Sequence, residues 1–300
     1  MSFAYDLKTE LCKLPFEQEC CKKAQLYGML LFGRHFANNH ISIQTEHSRV
    51  SGIAAELLEQ IYNIKLQVKI SLHSNEHTDY TLNITDQLLT EKIFNDFGYN
   101  LKTITLRINR ANLENDCCVS AFLRGIFLVC GSVAPPEKNY HLEFVAPHFN
   151  LCKDLSDFLK EQNLKPKSIK RKGNYVIYFK ESEQVEDILT LMGAFRQSLE
   201  IMNIKIYKDI RNNANRVTNC ETANIDKTVG AASAQLEAIK KIISAHGMEF
   251  FSDELREIAV LRLNNPEMSL RELSEELKIS RSGANHRLRR IIEIADTIIN

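Results

Sequence analysis

An internal duplication constrains this chain more than any other feature. Lys22–Phe32 reads as a helix carrying Leu26, Met29, Leu30 and Leu31. His40–Glu46 alternates as a strand does, and Ser51–Tyr62 is an amphipathic helix with Ile53, Leu57, Leu58 and Ile61 at helical spacing. Lys65–Leu72 and Thr78–Ile84 read as a strand pair around Ser74-Asn75-Glu76, and Asp86–Phe94 is helical. The series then returns. Val119–Cys130 is an apolar helix, Tyr140–Ala146 a strand and Leu151–Gln162 an amphipathic helix. Ser168–Arg171 and Tyr175–Lys180 form a hairpin around Lys172-Gly173-Asn174, and Glu183–Met192 is helical. Each copy reads α-β-β-α-β-β-α, with Gly28 and Gly125 at equivalent points 97 positions apart. The simplest fold is a pseudo-two-fold pair of α+β halves. A short helical stretch, Ser2–Leu14, precedes the first copy with Phe3, Leu7, Leu11 and Leu14 on one face.

Two copies do not use the whole chain. At roughly 150 residues per domain, 300 residues make two domains. A chain 44% hydrophobic and 25% charged is neither disordered nor a disulfide-stapled mini-protein. No apolar run reaches the ~18 residues of a membrane span. The N-terminus intersperses acids and has no apolar signal core, so a cytoplasmic location is expected. The eight cysteines include two adjacent pairs, Cys20–Cys21 and Cys117–Cys118, but no Cys-x-x-Cys. They are expected to be small buried thiols, with no metal site and no cofactor. His35 and His40, and His73 and His77, read as ordinary surface residues rather than ligand pairs.

After Met192 the pattern changes. Phe195–Tyr207 continues as a helix, and 209–224 is rich in Asn and poor in apolar residues. Its Asn side chains suit the capping of helices on either side. The expected division is a domain over 1–210, a connector over 211–228 and a helical domain over 229–300.

The end of the chain reads as a helix-turn-helix. Ser252–Leu263 is one helix, with Ser252 at its N-cap position and Pro266 just beyond its end. Ser269-Leu270-Arg271-Glu272 is a capping box, and Leu270, Leu273 and Leu277 line one face of the helix it starts. Lys278-Ile279-Ser280 is a short turn. Ser280 caps a third helix with Ala284, Leu288, Ile291, Ile292 and Ala295 on its buried stripe. Net charge over the chain is zero, but it is segregated here. Residues 253–277 carry seven acids against three bases, whereas 278–290 carry five bases and no acid. At 100° per residue, Ser282, His286 and Arg289 lie opposite the buried stripe, flanked by Arg281 and Asn285. Arg281, Asn285, His286 and Arg289 suit base edges in a major groove; Ser282, Arg287 and Arg290 suit phosphates. A second basic cluster, Lys165, Lys167, Lys170, Arg171 and Lys172, falls on the hairpin of the second repeat. It is a second DNA contact or the charged edge strand by which a sheet avoids aggregation.

The repeated helices carry a resemblance. Leu26-Tyr-Gly-Met-Leu-Leu-Phe-Gly-Arg34 and Leu123-Arg-Gly-Ile-Phe-Leu-Val-Cys-Gly131 resemble degenerate copies of the LAGLIDADG motif of homing endonucleases. That resemblance implies two motif helices packed at a pseudo-dyad, with Gly28 and Gly125 permitting close approach. It also implies a carboxylate at the end of each motif helix to hold divalent metal, and those positions are here Gly33 and Cys130. Neither is a hard oxygen ligand, so no nuclease activity is expected.

Over nearly its full length the chain resembles the WhiA family of bacterial transcription regulators. The stretches that carry this are Ser2-Phe3 with Leu7-Lys8-Thr-Glu10-Leu11, Phe122–Val133, Tyr140-His-Leu-Glu143, Asn215–Lys227 and Ser282–Arg290. The resemblance implies a sequence-specific regulator of cell division, chromosome segregation or sporulation. It also implies binding to double-stranded DNA at the nucleoid, another regulator protein as a partner of the N-terminal domain, and no enzymatic activity. The alternatives are a scaffold of the division machinery and, less favoured, an active DNA endonuclease.

Overall fold

A computed structural model describes residues 2–16, 18–72 and 78–298. The turn expected at Ser74-Asn75-Glu76, and His73 and His77, lie outside the described residues. The chain divides into two compact units, 1–208 and 209–300.

In the first unit the expected α+β duplication is present. The first half runs α1 (Phe3–Leu11), α2 (Glu19–Leu31), β1 (His35–Ala37), β2 (His40–Thr45), α3 (Ser48–Tyr62), β3 (Lys69–Leu72), β4 (Thr78–Ile84) and α4 (Gln87–Asp96). The second half runs α5 (Asp116–Cys130), β5 (Gly131–Val133), β6 (Leu142–Ala146), α6 (Phe149–Glu161), β7 (Lys167–Arg171), β8 (Asn174–Phe179) and α7 (Ser182–Met192). The two antiparallel sheets share one strand order, β1-β2-β4-β3 and β5-β6-β8-β7. The leading strand of each sheet is only three residues long. Such a strand has too few alternations to stand out by periodicity.

The motif helices explain their own sequences. Residues 24–31 of α2 and 121–128 of α5 are all buried. A helix buried on all sides reads as a continuous apolar run rather than a stripe. The two helices pack against each other at their glycines. A Cβ added at Gly28 would stand 2.5 Å from the carbonyl oxygen of Phe122, and one at Gly125 would overlap the carbonyl of Gln25. The hydroxyl of Tyr27 holds this crossing to the segment that joins the two halves. It bonds the Tyr99 hydroxyl (2.6 Å) and accepts from the Asn109 amide (2.7 Å).

One long helix, α8, runs Phe195–His246. The Asn-rich stretch lies inside it, so those Asn side chains do not cap helices on either side as the sequence suggested. Residues 209–231 of α8 are exposed throughout, which is why no apolar stripe marks them as helix. From Ala232 onward α8 again buries side chains. The rest of the second unit is α9 (Asp253–Asn264), α10 (Leu270–Glu276) and α11 (Arg281–Thr297). Ala238, Ile239 and Ile242 of α8 join Phe251, Ile258, Leu273, Leu288 and Ile291 in its core. Among the described residues no helix is long and apolar enough to cross a membrane.

Candidate nucleic-acid interface

The helix-turn-helix is built by local chemistry at each boundary. Ser269 Oγ accepts from the Glu272 amide (3.3 Å), and the Glu272 carboxylate accepts from the Ser269 amide (2.7 Å), which closes the capping box. At the other end of α10 the Ile279 amide donates to the Ser274 carbonyl (3.0 Å), and the Lys278 amide to that of Glu275 (3.2 Å). These are the paired bonds of a Schellman ending, with Lys278 in the left-handed position (φ 52°) that glycine usually fills. Ser280 Oγ then accepts from the Gly283 amide (3.0 Å) and starts α11. Ser252 occupies the N-cap of α9 but makes no side-chain cap bond. Arg262, which sequence reasoning passed over, is buried. Its guanidinium donates to the carbonyls of Met268 (2.5 Å) and Pro266 (3.4 Å), tying down the α9–α10 loop.

α11 buries Ala284, Leu288, Ile291 and Ala295 and leaves its other face in solvent. Arg281, Ser282, Asn285, His286, Arg289 and Arg290 are exposed. Arg281 and Arg289 lie eight helical steps apart, about 12 Å along the axis, which suits the width of a major groove. Arg287 behaves differently. Its side chain is only 20% exposed and its guanidinium lies 3.4 Å from Glu254 and 3.9 Å from Glu257 of α9. It braces α11 against the acidic helix rather than projecting from it. Arg290 is 62% exposed and pairs loosely with Glu293 of its own helix (3.3 Å).

The basic hairpin divides between two faces. All five residues of β7 are exposed, as are Lys165 and Lys172. The register pairs Lys167 with Tyr178, Lys170 with Tyr175 and Arg171 with Asn174. Lys167 and Arg171 therefore share the face turned away from the helices, while Lys170 is on the other face, its ammonium 5.5 Å from the Tyr175 ring. Arg171 is paired with Glu143 (3.0 Å), which also holds His141 (3.2 Å). Lys172 and Gly173 both have positive φ (50° and 86°), the signature of a tight two-residue hairpin turn.

The ends of the motif helices meet a cavity of about 740 Å³, lined in part by Gly33, Cys130, Lys8, Glu46, His47 and Asp79. The two positions that the LAGLIDADG resemblance assigns to metal-holding carboxylates do not fit a divalent metal of the endonuclease kind. Gly33 has no side chain, and burial pushes the Cys130 thiol up to about 12, so it stays protonated. An amine already sits there: Lys8 of α1 donates to the Leu128 carbonyl (3.0 Å). Burial draws the Lys8 amine below its ordinary pKa, with the Glu46 carboxylate pulling the other way. The sequence marks Lys8 only as one base on an amphipathic helix, and its reach to a helix 120 residues away was not legible.

This arrangement agrees with the comparisons. Residues 119–211 match the WhiA LAGLIDADG-like domain family and residues 214–295 the WhiA C-terminal HTH domain family. The crystal structure of full-length WhiA from Thermatoga maritima superposes with a TM-score of 0.59 at 24% identity, covering all of both chains. The N-terminal LAGLIDADG domain of WhiA superposes over 68% of this chain and 96% of that one, with a TM-score of 0.52 and 18% identity. The chain is 40% identical to the probable cell division protein WhiA of Ruminiclostridium cellulolyticum, over 99% of this chain and 98% of the relative. It is 39% identical to that of Alkaliphilus metalliredigens over the same shares. With a helix-turn-helix unit, a LAGLIDADG-like unit and full-length relatives at this identity, the chain belongs to the WhiA family.

Proposed function

We propose that this protein is a sequence-specific regulator that binds double-stranded DNA in the service of cell division, and that its LAGLIDADG-like unit does not cleave. The single observation that carries this is the outward face of α11. It presents Arg281, Asn285, His286 and Arg289 on a helix with no acid before Glu293. Arg reads guanine and Asn reads adenine by paired hydrogen bonds, each contributing about 1–3 kcal/mol of discrimination. Ser282 and Arg290 flank this row for phosphate contact. Arg287 supports it from behind through Glu254 and Glu257. Residues 229–300 then read the DNA, 211–228 join them to 1–210, and the protein works at the nucleoid in the cytoplasm. The names of the curated relatives supply the cell-division context.

Lys165, Lys167, Lys170, Arg171 and Lys172 form a weaker, sequence-independent contact in this reading. The Arg171–Glu143 pair and the placement of Lys170 reduce what that hairpin offers to a phosphate backbone.

Fluorescence anisotropy of the full chain on short genomic duplexes at rising salt tests the proposal. Arg289→Ala should lose about tenfold or more on the preferred duplex and relax preference at one position. Lys165→Ala with Lys167→Ala should weaken all duplexes evenly and flatten the salt slope. Duplex binding unchanged by Arg289→Ala would count against α11 as the reading helix. Magnesium-dependent cutting of the bound duplex would favour the endonuclease alternative. Absence of binding at low salt would favour the scaffold alternative.

A further inference from the structure

Cys20 and Cys21 occupy the first turn of α2, and Cys117 and Cys118 the first turn of α5. Cys20 and Cys117 are separated by 97 residues, the offset of the duplication itself. The two adjacent pairs are thus pseudo-symmetry mates, and the fold brings them together at the end of the helix pair remote from Gly33 and Cys130. Cys20 Sγ lies 3.7 Å from Cys117 Sγ. The sulfurs of Cys20, Cys117 and Cys118 lie within 4.8 Å of one another. The Cys21 thiol donates to the Cys117 carbonyl at 3.7 Å.

We infer that Cys20, Cys117 and Cys118 form a structural site for a thiophilic divalent cation of the zinc type. A zinc–sulfur bond of about 2.3 Å in a tetrahedron sets neighbouring sulfurs about 3.8 Å apart, close to the Cys20–Cys117 separation. Thiolate is the required form, and the helix termini favour it although Gln18 Oε1 accepts from the Cys20 (3.3 Å) and Cys117 (3.9 Å) thiols in the metal-free cluster. The positive ends of two helix dipoles point at the cluster, and neither N-cap side chain, Gln18 or Asn115, takes up the first-turn amides. Asn115 instead donates to Cys20 Sγ (3.6 Å). Cys20 and Cys117 are half-buried, which leaves an entry path, while Cys21 and Cys118 are buried beneath them. Cys20, Cys117 and Cys118 supply three thiolates, and water from the exposed side fills the fourth position. Each thiol gives its proton to solvent as the metal–sulfur bond forms. The bound ion would pin the starts of both motif helices to each other. The sequence does not reveal the site because its ligands come from two adjacent cysteine pairs on separate helices, without the short loop spacing of a zinc knuckle.

The test uses the full chain, purified reduced and without chelator. Elemental analysis should find one zinc per chain. After chelation, titration with Co²⁺ should give thiolate charge-transfer and tetrahedral ligand-field bands that saturate at one equivalent, with release of protons, and Zn²⁺ should bleach them. Cys20→Ser with Cys117→Ser should abolish the bands, and Cys220→Ser, at an exposed thiol elsewhere, should leave them intact. Far-UV circular dichroism of each variant confirms the fold. Should the double variant unfold, Cys117→Ser alone must weaken Co²⁺ binding at least tenfold. Reduced wild-type protein that gives no bands, bands that survive the double substitution, or a Cys20–Cys117 disulfide with no bound metal would each overturn the inference.

Discussion

Substituting Gly28 by Ala isolates the close approach of the two motif helices. In the native structure the new Cβ would face the Phe122 carbonyl oxygen at 2.5 Å, the Ile126 amide nitrogen at 3.1 Å and a Phe122 ring carbon at 3.2 Å. Ordinary contact begins near 3.4 Å, so α2 and α5 must part by about 0.9 Å along this line. The obstruction is helix backbone, which cannot turn aside as a side chain does. Overpacking of this kind costs about 1–3 kcal/mol, and the upper end applies because the helices are buried on all sides. Alanine returns about 1 kcal/mol of helix propensity, so the net loss is about 2 kcal/mol. Gly52 on the exposed face of α3 provides the control, since a Cβ there meets nothing within 4 Å. Gly52→Ala should stabilise by about 0.5–1 kcal/mol. The assay is urea unfolding followed by tyrosine emission. The chain has no Trp and all nine Tyr lie within 1–208, so this signal reports the first unit alone. If Gly28→Ala proved as stable as Gly52→Ala, the glycine would not be there to admit the neighbouring helix.

The same tyrosine-detected assay checks two further expectations. Tyr27→Phe leaves the half-buried Asn109 amide without its acceptor and should cost about 1 kcal/mol. Burial, aided by Lys8 and Arg49, holds the His47 imidazole below its ordinary value of 6.5, so the unfolded chain binds that proton more tightly. Stability of the first unit should therefore be full above that pH and fall as pH drops through it, with a shallower fall in His47→Gln. In the second unit, Lys278→Gly relieves a left-handed residue, a strain of about 1–2 kcal/mol offset by the greater freedom of unfolded glycine. It should stabilise by about 0.5 kcal/mol, read as slower hydrogen exchange in α10 and α11. The reverse sign would mean that the Lys278 side chain makes a contact worth more than the strain.

What was legible in the sequence was what local chemistry or periodicity writes down. The Ser269–Glu272 capping box and the Ser280 cap were readable because partner and acceptor are three residues apart. The duplication was readable because each half repeats one order of apolar periods. Gly28 and Gly125 stood out at equivalent places, and the structure supplies their reason. The continuous α8 was not legible across 209–231. A helix with no buried face has no apolar stripe, and its many Asn residues have no helix preference to announce it. Within the α11 row, exposure could be computed from spacing, but the turn of Arg287 toward Glu254 and Glu257 needed the position of a second helix. The same limit hid Lys8 beneath the motif helices and the meeting of Cys20 with Cys117, contacts between residues about a hundred positions apart.

The central claim is that the exposed row on α11 reads DNA sequence. Its most direct measurement is enrichment of bound duplexes from a random pool by the full chain and by a variant carrying Arg281→Ala, Asn285→Ala and Arg289→Ala. These side chains are exposed, so the helix should stay folded without them. The account predicts a defined motif for the wild-type chain, with guanine and adenine at the positions Arg and Asn would read, and no motif for the variant. The same motif recovered by both proteins would contradict it and move recognition to another surface.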